Sequence, residues 1–206
     1  MTPTYLTRHM RLEDIPQVVS IDRLSFSSPW SPNTYQFEVN NRETSHLVVI
    51  EVHEAGFAPV NGLRGLVQRL LRPKTAPLLA GYGGCWLIAG EAHISTIAVH
   101  PDFRGRGLGE LLLTNMLQRA MNLDGEYSVL EVRASNRTAQ ALYEKYEYKV
   151  VGRRKGYYRD DGEDALLMEV RPFDEAYRQR FAAHVAALSK RVTYHDQFTR
   201  QSKAEK

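Results

Sequence analysis

The chain has one cysteine, Cys85, among 206 residues. An internal disulfide is therefore excluded, and with it the small secreted class of folds held together by such bridges. Cys85 stands in an apolar run, where it reads as a small buried hydrophobe rather than a nucleophile. Long hydrophobic runs are missing as well. The longest nearly apolar stretch, 78–90, is interrupted by glycines and falls short of the roughly 20 residues that a membrane-spanning helix needs. The N-terminal segment carries Arg8, Arg11, Glu13 and Asp14 and no extended apolar core, so no signal peptide and no transmembrane segment are expected. These absences predict a cytoplasmic protein. Excess charge of one sign is scarce too: 27 Lys and Arg face 24 Asp and Glu, a net +3. That is too little to point to nucleic acid, and no direct nucleic-acid partner is expected. No internal repeat and no metal-ligand set is visible.

What is present is ordinary globular material, 43% hydrophobic and 25% charged, long enough for a substantial core. One stretch organises the rest. Residues 94–99 form a β-branched apolar run that predicts a strand, and Pro101 stops it. Glycines come next at 105, 107 and 109, with Arg104 and Arg106 between them. Leu108, Leu111, Leu112, Met116 and Leu117 then recur at helical spacing. A glycine-rich turn at a helix N-terminus exposes backbone N–H groups and the positive end of the helix dipole, which favours an anion such as pyrophosphate. A kinase-type phosphate loop would need Gly-Lys-Ser/Thr, which is absent. The dinucleotide fingerprint would need glycine where Glu110 stands, and would start at the strand end.

Around this centre the pattern is strand, helix, strand. Strands are predicted at 5–8, 46–52, 78–89, 94–99, 128–133, 149–154 and 165–170. Helices are predicted from Glu13, from Pro32 with Ser31 as cap, through 108–122, and from Asn136. Crossovers between strands imply an α/β layered domain. The connection 53–77 reads as an insertion that is mostly loop. Within it, Leu63, Leu66, Val67, Leu70 and Leu71 alternate with arginines. That pattern suits either a lid packing on its own domain or a basic amphipathic helix for a partner or membrane surface. After Pro172, Tyr177, Phe181, Val185, Leu188 and Val192 predict a C-terminal amphipathic helix. The polar stretch 197–206 is expected to fray. The resulting division is a main domain over 1–172 and a helical extension with a frayed tail over 173–206.

A second informative run is 130–144. It puts Glu131 on a largely apolar strand, Asn136 at a helix start and Tyr143 on that helix's inward stripe. Spacing alone leaves two readings open: a carboxylate and a phenol near one site, or a strand glutamate at the surface, a capping asparagine and a core tyrosine. Trp30 and Tyr35 suit core anchoring better than substrate contact.

The run His93-Ile-Ser-Thr-Ile-Ala-Val-His-Pro101, the loop Arg104-Gly-Arg-Gly-Leu-Gly109, the run Leu130-Glu-Val-Arg-Ala-Ser-Asn136, Ala141-Leu-Tyr143, Tyr157-Tyr158 and Glu163-Asp-Ala165 together resemble the RimI-type ribosomal-protein-alanine N-acetyltransferases, a branch of the GCN5-related N-acetyltransferase (GNAT) superfamily. The resemblance covers about residues 4 to 170 apart from the insertion. It implies a GNAT fold: a mixed central sheet with two splayed strands, helices on both faces, and acetyl-CoA between the strands. It implies that Ile97, Ala98 and Val99 hold the pantetheine and acetyl end. Arg104, Gly105, Arg106, Gly107, Leu108, Gly109 and Glu110 would hold the pyrophosphate, and Asn136 the pantetheine arm. Glu131 matches the family's general base and Tyr143 its general acid. The Ser27–Trp30 turn and Tyr157-Tyr158 would flank an incoming protein N-terminus, such as that of a ribosomal protein. No metal is implied, and the oligomeric state is left open. Acetylation of lysine or a small amine, and a non-catalytic acyl-CoA-binding module, are the alternatives.

The family's usual Gly-Phe after the second helix is replaced here by Glu147-Tyr148, so this turn is expected to be built differently. Chemistry favours an α-amine over a lysine as acceptor. Deprotonation at pH 7 costs about 1.4 kcal/mol for an amine of pKa ~8, and about 4.6 kcal/mol for one of pKa ~10.4.

Overall fold

A computed structural model describes residues 3–53 and 77–200. In chain order the strands are β1 (Thr4–His9), β2 (Ser45–His53), β3 (Leu79–Ile88), β4 (Glu91–Val99), β5 (Tyr127–Arg133), β6 (Lys149–Arg154), β7 (Ala165–Val170) and β8 (Tyr194–Asp196). The helices are α1 (Ile15–Ser25), α2 (Pro32–Asn40), α3 (Leu108–Asn122), α4 (Arg137–Lys145) and α5 (Glu175–Ser189). All seven expected strands are present. They form one mixed sheet in the order β6-β7-β5-β4-β3-β2-β1-β8. The amphipathic pattern within 53–77 falls outside the described residues.

Alternation along the strands assigns the two faces. In β2, Val48 and Ile50 point into one core with α3, α4 and α5, whereas Leu47 and Val49 point into the other with α1 and α2. A residue period of two sends neighbouring side chains to opposite faces, so this apolar strand is covered on both sides. Ser31 caps α2 as its sequence predicts, its Oγ accepting from the Thr34 N–H at 3.1 Å. Tyr35 is fully buried and donates to the Tyr82 hydroxyl at 2.8 Å, so it is a core anchor. Cys85 is buried, and burial pushes its thiol up to about 12, which keeps it protonated and unreactive.

Two features of the sheet shape the centre of the molecule. First, β4 and β5 are parallel and pair only from Glu91↔Tyr127 to Ile94↔Leu130. β4 then runs on to Val99 and β5 to Arg133 without pairing to one another. Second, the β3–β4 register shifts beside this point: Cys85 faces Ile94 and Gly84 faces Thr96, leaving Ser95 as an extra residue. A bulge of this kind bends its strand and reverses the facing of the residues beyond it. Accordingly Ala92 and Ile94 belong to the α3 core, while Ala98 belongs to the opposite one and Ile97 and Val99 take over the α3 side. The expected splay of the two central strands is therefore present, and the bulge is its local cause.

The C-terminal segment departs from expectation. The helix is there, burying Tyr177, Phe181 and Leu188 in the same core as α3 and α4. The stretch after it is not frayed as far as Thr199. β8 pairs in parallel with β1, Tyr5↔Tyr194 through Thr7↔Asp196. The Gln197 N–H donates to the Thr7 carbonyl at 2.8 Å, and Phe198 is fully buried with its ring 4.6 Å from that of His9. A single large aromatic ring outweighs the polar neighbours that suggest fraying, because burying it removes so much apolar surface from water.

Candidate active site

The gap between β4 and β5 is the place to build from. At its closed end Glu131 and His93 meet. Leu130 and Val132 face the α3 core, so Glu131 between them faces the α1/α2 side. Its side chain is 8% exposed, which removes the surface-glutamate reading. The parallel register sets His93 opposite Val129, and His93 Nε2–H donates to Glu131 Oε2 at 2.8 Å. Arg154 Nη1 reaches the other carboxylate oxygen at 3.1 Å. The hydrogen bond from His93 and the charge of Arg154 hold the Glu131 carboxyl below its usual range despite burial. An ionised carboxylate only accepts, so the proton of that bond sits on Nε2 of His93. His93 is also braced by Trp86, its ring edge-on at 5.4 Å, and Trp86 stacks on Trp30 at 6.1 Å. From sequence alone His93 is a strand residue without a role. Only the pairing register puts it beside Glu131.

Tyr143 lies on the opposite face. It is buried in the α3 core beside Tyr148, and burial pushes its phenol up to about 12. It therefore stays protonated at neutral pH. Burial, with the Glu131 carboxylate among its neighbouring charges, likewise pushes the Tyr158 phenol up to about 12.

The flanking segments meet as well. Arg133 stacks its guanidinium over the Tyr158 ring at 3.9 Å and pairs with Asp160, Asp161 and Glu163. Ser27 hydrogen-bonds both Arg133 and Asp160. The turn after α1 and the loop between β6 and β7 are thus tied together beside the Glu131 end of the gap. Trp30 is half-buried and held by its backbone N–H, which donates to Asp22 Oδ2 at 2.7 Å, whereas Tyr157 is exposed.

At the open end lies the glycine loop. Gly105 and Gly107 take φ of +74° and +79°, a region that side-chain-bearing residues avoid. Gly107 is the N-cap of α3 and offers no side-chain cap. The first helical hydrogen bond runs from Leu111 N–H to the Gly107 carbonyl. The N–H groups of Leu108, Gly109 and Glu110 therefore precede the helical ladder and need outside acceptors. Arg104 Nε donates to the Val99 carbonyl at 3.1 Å, and an Arg106 nitrogen to the Asp102 carbonyl at 2.9 Å. Both guanidinium groups are exposed and so brace the loop while facing solvent.

Two residues of the expected cofactor loop have their side chains engaged within the protein. The Leu108 side chain is in the core, so only its backbone can face a ligand. The Glu110 carboxylate is already engaged by Lys145, by the Tyr146 hydroxyl at 2.8 Å and by Arg191 at 2.9 Å, which keep it below its usual range despite burial. Its side chain locks α3 to α4 and to the chain after α5. Asn136 accepts from the Ala139 N–H at 3.1 Å as the cap of α4, which leaves its amide NH₂ available as a donor.

The loop fits a diphosphate. Its two positive-φ glycines, its uncapped helix start and its two exposed arginines are what such an anion requires. Among the described residues no group of three or more His, Cys, Asp or Glu could hold a metal ion, and no helix is long and apolar enough to cross a membrane.

Comparison with known proteins gives the same picture. Residues 16–148 match the model of the acetyltransferase (GNAT) family. A putative [ribosomal protein bS18]-alanine N-acetyltransferase of Bacillus subtilis is 38% identical over 163 residues, covering 79% of this chain and 93% of the relative. An N-alpha-acetyltransferase of Saccharolobus solfataricus is 31% identical over 166 residues, covering 80% and 91%. The crystal structure of the ribosomal-protein-S18-alanine N-acetyltransferase from Escherichia coli superposes with a TM-score of 0.63 at 24% identity, covering 82% of this chain and 94% of that one. That level of identity speaks to the fold. The strand gap, the uncapped glycine loop and these relatives converge: the chain belongs to the GNAT family of acetyltransferases, on its RimI-type branch.

Proposed function

We propose that this enzyme transfers an acetyl group from acetyl-CoA to the N-terminal α-amine of a protein, with alanine as the preferred first residue. The observation that carries the reading is the part-buried His93–Glu131 pair at the end of the β4–β5 gap, with the protonated phenol of Tyr143 in the core on the other face of the sheet. Relatives named for N-terminal and alanine acetylation support the choice of acceptor. A single buried free cysteine supports a reducing, cytoplasmic setting.

In this reading the backbone of Ile97, Ala98 and Val99 lines the gap, and the N–H groups of 108–110 with Arg104 and Arg106 hold the diphosphate. The Asn136 amide donates to the arm between them. Acetyl-CoA bound there would supply the thioester that acylates the amine, with the coenzyme's sulfur as leaving group. The protein's own part is proton handling. Glu131 is a weak base alone, because its partners favour its charged form. The His93 Nε2–H at 2.8 Å holds the carboxylate in position to take a proton from the substrate ammonium, directly or through water. Tyr143 Oη holds a proton that it can deliver to the departing sulfur. The bracket of Ser27, Arg133, Tyr158 and Asp160 bounds the acceptor's entry, with Trp30 behind it.

The test is turnover of acetyl-CoA against peptides beginning with alanine and other residues, with mass mapping of the acetylated atom. Acetylation on the α-nitrogen is expected. Transfer confined to lysine side chains or polyamines would overturn the choice of acceptor.

A further inference from the structure

The segment after α5 reaches a place that the family pattern does not provide for. A Cβ built on Gly107 would stand 3.0 Å from Val192 Cγ2, 3.5 Å from Leu188 Cδ1 and 3.9 Å from Arg191 Nη1. The end of α5 therefore lies directly against the glycine that opens α3. The matching family model stops at residue 148, so this contact comes from outside it.

Arg191 is fixed at both ends. Its backbone N–H donates to the Leu188 carbonyl at 2.8 Å, and Leu188 and Val192 on either side are buried. Its guanidinium uses Nη2 to bond Glu110 Oε2 at 2.9 Å, while the side chain as a whole remains 53% exposed. A guanidinium carries five N–H donors in a planar fork, so one bond to a carboxylate leaves an edge for a second anion.

Charge balance points the same way. Glu110 is already bonded by Lys145 and by the Tyr146 hydroxyl. Arg191 makes a second cation on one carboxylate, which leaves a net positive charge beside the N-terminus of α3. A cation there opposes the helix dipole. Arg104 and Arg106 add two more on the loop itself. The arrangement is unfavourable alone and becomes favourable when an anion docks among these groups.

We propose that Arg191 is a phosphate-binding residue for the acyl donor, supplied by the C-terminal segment to the glycine loop. The proposal rests on the reading of that loop as the coenzyme A site. Either the diphosphate or the 3′-phosphate of the coenzyme can be its target, and the shared chemistry is a phosphate oxygen.

The test compares wild type, Arg191→Gln and Arg191→Lys with three acyl donors at saturating acceptor peptide: acetyl-CoA, acetyl-3′-dephospho-CoA and S-acetylpantetheine, which has no phosphate of the nucleotide end. For Arg191→Gln the KM for acetyl-CoA is expected to rise about tenfold with kcat within twofold, and Arg191→Lys should recover part of the loss. With S-acetylpantetheine the wild type and Arg191→Gln should be indistinguishable. A penalty that vanishes with the dephospho donor assigns the contact to the 3′-phosphate, and one that persists assigns it to the diphosphate. An unchanged KM for acetyl-CoA overturns the proposal, as does an equal rise with S-acetylpantetheine, which would mark a distorted loop. A wild type that does not bind acetyl-CoA would instead sink the reading of the loop itself.

Discussion

Glu147 adopts a φ of +66°, and its carboxylate is gripped by both Nε and Nη2 of Arg180, at 2.7 and 2.8 Å. This is the turn where the family resemblance leads one to expect glycine. The backbone keeps the left-handed conformation that glycine would adopt freely, and α5 supplies the partner. The Arg180 hydrogen bonds hold the Glu147 carboxyl below its usual range. Both side chains are more than a third exposed, so solvent screening keeps the pair's contribution small. The left-handed region costs a side-chain-bearing residue about 1–2 kcal/mol. Glu147→Gly should therefore be neutral or slightly stabilising. Glu147→Val, which loses the pair and puts a β-branched residue at positive φ, should lower stability by about 2 kcal/mol. Denaturant titration of the two variants checks this, and a stability loss in Glu147→Gly comparable to that in Glu147→Val would refute the backbone account.

Glu131→Gln should cut kcat by about 10²–10³, within the usual range for a positioned acid–base group, while leaving the far-UV spectrum unchanged. A second readout is stability against pH. The folded-state pKa of Glu131 is depressed by His93 and Arg154. Its stabilising contribution is thus fully present above the unfolded value of about 4.3 and is lost as pH falls through the lower folded value. The stability gap between wild type and Glu131→Gln should therefore narrow on acidification below about pH 4.3. A gap independent of pH would show that the interaction is not between charges.

Tyr143→Phe preserves the buried ring and removes only its hydroxyl, so the melting temperature should change little while kcat falls by about 10². Because the phenol is pushed up to about 12, the wild-type rate should show no alkaline loss attributable to it below about pH 10. Retention of full kcat in Tyr143→Phe would remove the residue from the proton path.

The two loop glycines should behave differently. Gly105 has φ +74° with nothing within 4 Å of a built Cβ, whereas at Gly107 a Cβ would also press on Val192. Gly105→Ala should cost about 1 kcal/mol from backbone strain alone. Gly107→Ala should cost more, and should loosen the segment after α5 as judged by hydrogen exchange of residues 188–192. Equal losses would mean that the contact with Val192 yields freely.

Phe198→Ala should destabilise by about 3–5 kcal/mol, the usual range for emptying a fully buried phenylalanine site. For a protein of this size that corresponds to a fall in Tm of roughly 6–20 °C. A fall under about 2 °C would restore the picture of a frayed tail.

Sequence pattern reaches as far as local rules extend. The β-branched runs at 94–99, 128–133 and 165–170 foretell three strands closely, and glycines 105 and 107 foretell their own unusual φ. Ser31 is legible because a cap is decided within one turn. The bulge at Ser95 is not, since it exists only in the register between two strands. The pairing of His93 with Glu131 is hidden for the same reason, its partner lying 38 residues onward. Glu110 reads as part of the phosphate loop because its neighbours do. Its carboxylate is claimed by Arg191, 81 residues away, and no periodicity carries that information. β8 is three residues of mixed polarity, too short to show a strand period.

The parallel pairing of β8 with β1 joins residues 189 positions apart in the chain, as in the Thr7–Asp196 hydrogen bond. With β2 on its other side, β1 thus has both rows of amide groups occupied; without β8 one row would stand bare and open to edge-on pairing with another chain.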